Sequence, residues 1–108
     1  MGPRCRRVVW STGAAEELDE ATAYIAQDSI SSAVRVLERL LAAAESLADL
    51  TERGTIVPER DDPNVRELFV NPYRLIYSTL DPDEVTILGV LHQRRDYSRW
   101  SEGRQGEV

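Results

Sequence analysis

The chain has 108 residues, 42% hydrophobic and 30% charged, enough for one domain with a single modest core. No apolar run approaches the ~20 residues a bilayer span needs, and the start MGPRCRRVVW lacks the apolar stretch of a secretory signal, so a cytoplasmic protein is expected. A net charge of −6 argues against non-specific nucleic-acid binding, and one Cys with one His leave no plausible zinc set, so neither metal nor cofactor is expected.

Arg6 to Trp10 reads as a short strand, with Trp10 as packing, and Ser11 or Thr12 can cap a helix that follows. In that helix Ala14, Leu18, Ala21 and Ile25 form one narrow apolar stripe, and Glu16, Glu17 and Asp19 sit in its first turns. The run Asp28-Ser29-Ile30-Ser31 breaks the pattern and supplies the next cap. A second helix is expected from about Ser32 to Glu52, with Ala33, Leu37, Leu40, Ala44 and Leu47 on its inner face and Arg53-Gly54 as its stop. Small Ala at 21, 33 and 44 lets the two helices close as an antiparallel hairpin.

Thr55 to Asn64, with Pro58 and Pro63, reads as an exposed loop. Three strands follow: 65–70, 73–80 and 85–91, joined by tight turns at Asn71-Pro72 and at 81–84. The order β-α-α-β-β-β predicts an α+β domain, a helical hairpin on one face of a mainly antiparallel four-stranded sheet. Residues 1–5 and 101–108 have nothing to bury and are expected to be flexible ends.

Alternation places Arg74, Ile76 and Ser78 on one face of the middle strand and Tyr73, Leu75 and Tyr77 on the other. In the last strand Thr86, Leu88, Val90 and His92 are expected to share a face. His92 is the chain's one histidine, the residue type best suited to acid–base work at neutral pH. With Glu59 as base, Arg74 as phosphate clamp and His92 as acid, the chain could assemble an RNA-cleaving set if the register brings them together. The bland reading of a lone His at a strand end is a structural hydrogen-bonder. Arg94 and Arg95 could grip phosphates or carboxylates in bidentate fashion, or form a solvated tail partly neutralised by Asp96. Arg66 and Arg74 could instead be sheet residues paired with Glu67. Tyr97 and Trp100, three apart, suit one face of a short terminal helix. All 13 basic residues are arginine, so no lysine can act as base or phosphate anchor. Cys5 has no assigned role.

The segment WSTGAAEELDEATAYIA, the second long helix and then RELFVNPYRLIYSTLDPDEVTILGVLHQRRD resemble the RelE/ParE superfamily of type II toxins over about residues 7–97. The most specific parts are Val70 with Tyr73-Arg74-Leu75-Ile76-Tyr77, and Val90-Leu91-His92-Gln93-Arg94-Arg95-Asp96. The resemblance implies a toxin held by a cognate antitoxin protein encoded alongside. Its ParE branch acts on DNA gyrase, and its ribosome-dependent branch cleaves mRNA. The absence of lysine counts against the RelE type. The YoeB-like type uses a Glu, an Arg and a His, for which Glu59, Arg74 and His92 occupy comparable places. The long hairpin and the ending Leu-His-Gln-Arg-Arg-Asp are more similar to ParE, and the acidic net charge further weakens ribosome docking. On that reading His92, Arg94, Arg95, Tyr97 and Trp100 face the target, while Leu18, Ile25, Arg66 and Arg74 meet the antitoxin. A non-toxic interaction protein descended from such a toxin is a further alternative.

Overall fold

A computed structural model describes residues 5–104. Its elements are β1 (Arg7–Trp10), α1 (Thr12–Ala26), α2 (Ile30–Ser46), β2 (Thr55–Ile56), β3 (Val65–Val70), β4 (Tyr73–Ser78), β5 (Glu84–His92) and α3 (Tyr97–Glu102). The sheet order is β1-β5-β4-β3-β2, with β1 parallel to β5 and every other pair antiparallel. The α+β class and the hairpin hold, and the sheet gains a fifth, two-residue strand.

Both helix starts follow from local chemistry. Ser11 Oγ accepts the Ala14 N–H at 3.1 Å and Ser29 Oγ accepts the Ser32 N–H at 3.2 Å, each satisfying one otherwise unbonded amide of a first turn. α2 ends at Ser46, six residues before the expected stop at Glu52. Turns take over there because Leu47 and Ala48 must tuck into the core, and the Ala48 carbonyl accepts the Arg6 N–H at 2.9 Å. Gly54 is therefore no helix stop. Its N–H donates to the buried Tyr77 hydroxyl at 2.9 Å, and a Cβ there would run into that hydroxyl and the Glu67 carbonyl.

The sheet has an apolar core on each face. On one side the stripe with Ala14 and Leu18, together with Leu40, Ala44 and Leu47, packs on Tyr73, Leu75, Tyr77, Val85 and Ile87. Truncating a side chain buried as fully as Leu40 costs about 2–5 kcal/mol. On the other side Val57, Val65, Ile76, Leu88, Leu91, Tyr97 and Trp100 form a smaller core. This second cover was not expected. The segment read as an exposed loop pairs Thr55 and Ile56 with β3 and buries Val57 completely.

A β-bulge sets which side chains face which core. Ile76 pairs with Gly89 but Tyr77 pairs with Ile87, so Leu88 has no partner and alternation slips by one. Val90 and His92 consequently face the hairpin while Leu88 joins the second core, which corrects the expectation that Leu88, Val90 and His92 share a face. Part of the stretch from residue 101 expected as a flexible end is helical. α3 runs to Glu102, and Arg104 Nη2 lies 2.9 Å from Glu17 Oε1, because a largely enclosed carboxylate there favours a cation beside it. Residues 1–4 and 105–108 lie outside the described residues.

Candidate functional site

Register decides the fate of the acid–base set. Tyr73 stands opposite His92 and Arg74 opposite Leu91, so Arg74 and His92 project from opposite faces of the sheet. Glu59 and Arg74 do meet: Arg74 Nη1 and Nη2 donate to the two Glu59 oxygens at 3.0 and 2.8 Å. The same guanidinium donates to Glu67 at 2.5 Å from Nε and lies 5.4 Å over the Tyr97 ring. Its side chain is 13% exposed. Two carboxylates on one guanidinium leave no donor face open to a phosphate. Hydrogen bonding from Arg74 holds the Glu59 carboxyl below its ordinary value, so it is a weak proton acceptor. The structure thus brings two of the three candidates together and separates the third.

His92 packs its ring edge-on against Tyr73, with centroids 5.4 Å apart, and its Nδ1 accepts the Arg94 N–H at 3.1 Å. That bond assigns the neutral ring's proton to Nε2. The Arg95 N–H closes a turn onto the His92 carbonyl at 2.8 Å. Arg94 and Arg95 are both exposed, and the Arg95 guanidinium lies 3.9 Å from Glu17. Between this strand end and α1 lies a cleft of about 500 Å³ lined by Glu17, Glu20, Ala21, Tyr24, Tyr73, His92, Arg94 and Arg95. Three of the residues expected to face a target therefore share one rim.

Other placements differ from the sequence reading. Tyr97 and Trp100 are 4% and 3% exposed, so their rings lie in the second core rather than on the surface. Burial pushes the Tyr97 phenol up, offset in part by the neighbouring Arg60 guanidinium, which does not reach hydrogen-bond geometry. Leu18 lies in the main core, and Ile25 is half-buried against it. Arg66 donates to the Gly54 carbonyl at 2.8 Å and is half-buried. No group of three metal-ligating side chains occurs among the described residues.

Sequence reasoning passed over Glu17. It looks like one more first-turn acid, yet its carboxylate accepts the Val90 N–H at 3.0 Å and the Trp100 Nε1–H at 2.7 Å besides pairing with Arg104. The only prior signal was an acid on the inner half of an apolar stripe. Exposed apolar side chains were also missed. Ile30 and Val34 flank a groove of about 260 Å³ floored by Ala26 and Ala33 on the outside of the hairpin. Phe69, 57% exposed, borders a cleft of about 330 Å³ with Arg39 and Arg53.

Residues 8–97, covering every element from β1 to the start of α3, match the family described as ParE toxin of type II toxin-antitoxin system, parDE. The chain belongs to the ParE toxin family. It is 32% identical over 98 residues to the candidate toxin Y4kP of Sinorhizobium fredii, covering 85% of this chain and 93% of that one. Its fold is similar to a chain of the chromosomal ParDE system of P. aeruginosa, with a TM-score of 0.67, 20% identity, and coverage of 82% of this chain and 97% of that chain. No helix among the described residues of this ParE-family chain is long and apolar enough to cross a membrane.

Proposed function

We propose that this ParE-family toxin acts in the cytoplasm by binding and inhibiting DNA gyrase, and performs no bond-making chemistry of its own. One observation carries the reading: Arg74 is saturated by Glu59 and Glu67 on one face of the sheet, while His92 sits on the other. A ribonuclease would need those groups around one phosphate. The rim of His92, Arg94 and Arg95 instead offers exposed guanidinium groups beside a cleft, which suits recognition of a protein surface carrying carboxylates.

The partner that neutralises it would be an antitoxin encoded alongside. Apolar residues of an amphipathic antitoxin helix fit the hairpin groove beside Ile30 and Val34. An extended stretch fits the outer edge of β3 at Phe69, where β2 has already ended and Arg39 and Arg53 flank the cleft. Purified toxin should block supercoiling by gyrase, and the antitoxin should relieve the block. Full supercoiling at saturating toxin would remove the proposal, and mRNA cleavage on translating ribosomes that disappears in His92→Ala would replace it with the nuclease reading.

A further inference from the structure

We infer that the outer edge of β5 at Val90 and His92 is a docking slot for a short extended segment of the target protein, added to the sheet by backbone hydrogen bonds. This rests on the reading of the His92–Arg94–Arg95 rim as target-facing. β5 outruns its outer neighbour: β1 pairs with it only as far as Trp10 and Ile87, whereas β5 continues to His92. The Gln93 N–H donates to the Pro72 carbonyl at 2.9 Å, so residues 89, 91 and 93 turn their backbones toward β4. Val90 and His92 therefore turn theirs outward.

What meets that edge beyond β1 is a series of substitutes for a strand. The Leu88 carbonyl accepts from Arg104 at 3.1 Å, and the Val90 N–H is taken by Glu17 at 3.0 Å. The series then stops. None of the described residues supplies a partner for the Val90 carbonyl or the His92 N–H. Val90 is only 4% exposed, and backbone groups on buried residues are nearly always paired. An unmatched donor and acceptor, two residues apart on one edge, form the pattern that an added strand reads.

The surroundings state what the segment should carry. The cleft beside this edge is lined by Arg94 and Arg95 from the strand exit, by Tyr73 from β4, and by Glu20, Ala21 and the 71% exposed Tyr24 from α1. An acidic residue fits the arginine end and an apolar one lies over the small Ala21. The end toward Glu20 takes a neutral or basic residue.

Amide exchange at single-residue resolution tests the slot. In the free toxin the His92 amide should exchange fast while Leu91 and Gln93, bonded across to β4, exchange slowly. A slow His92 amide in the free toxin would overturn the proposal. Adding gyrase holoenzyme should slow the His92 amide, and Ala21→Leu, which adds bulk to the cleft lining, should weaken gyrase binding about tenfold or more per folded molecule. Gyrase that binds without protecting His92 overturns the slot but spares the target assignment. Absence of gyrase binding overturns that assignment and the slot's occupant with it, and protection by the antitoxin alone reassigns the slot and overturns the occupant named here.

Discussion

Arg74 and Arg94 both lie within two residues of the Tyr73–His92 strand pair, yet they do opposite work. Arg74 is enclosed: Glu59 and Glu67 take its donors, and the Tyr97 ring lies 5.4 Å from its guanidinium carbon. Arg94 stands exposed beside a cleft, and among the described residues only its backbone N–H is held. Two guanidinium groups of identical chemistry thus become, by which face of the sheet they leave, one enclosed by carboxylates and one exposed beside a cleft. The enclosed one ties the segment around Glu59 and the second core to the sheet. For function the lesson is that an arginine at a family's expected position is not evidence of phosphate chemistry until its carboxylate partners have been located.

Changes that break the enclosed side should cost most. Glu17→Ala strips partners from the Val90 N–H, the Trp100 indole and Arg104 together, so a loss of about 3–4 kcal/mol in chemical denaturation is expected. Glu17→Gln, which keeps an acceptor, should lose less. Arg74→Ala leaves two carboxylates facing each other. A fully buried pair would cost about 3–5 kcal/mol when broken, but Glu59 is 39% exposed, so about 1–3 kcal/mol is expected by the same measurement.

Acid should probe the same contact more gently. Glu59 titrates below its usual value in the folded chain because Arg74 bonds its ionised form. The stability this gives is complete above the unfolded carboxylate pKa of about 4.3 and is lost as pH falls through the lower folded value. With solvent screening it amounts to under about 1 kcal/mol. Glu59→Gln should therefore flatten the decline of the urea midpoint below pH 5, and an unchanged decline would show that the Arg74 contact is not formed in solution. On the open side, Arg94→Ala should move stability by less than about 0.5 kcal/mol while reducing gyrase inhibition.

Much of the fold was legible because its signals are local. The stripe Ala14-Leu18-Ala21-Ile25, a cap at Ser11 or Thr12, another within 28–31, and the strand rhythm of 65–70 and 73–80, the second of which ends at Ser78, require only periodicity and side-chain reach. What failed depends on distant partners. Leu88 changes face because the bulge leaves it unpaired, and nothing in the sequence around 85–91 marks that position. Val57 becomes core because α3 and β5 build a second face far along the chain. Glu17 gains its role from Trp100 and Arg104, more than eighty residues away. The rim residues His92, Arg94 and Arg95 were read correctly as neighbours since they follow one another at a strand end. Their separation from Arg74 was set by register alone.

The most direct test of the whole account compares two variants in one gyrase supercoiling titration, each corrected for its folded fraction: Arg94→Glu with Arg95→Glu, and Arg74→Gln. The account predicts that reversing the rim charges abolishes inhibition while Arg74→Gln retains it. Inhibition that survives the double reversal but vanishes with Arg74→Gln would contradict it.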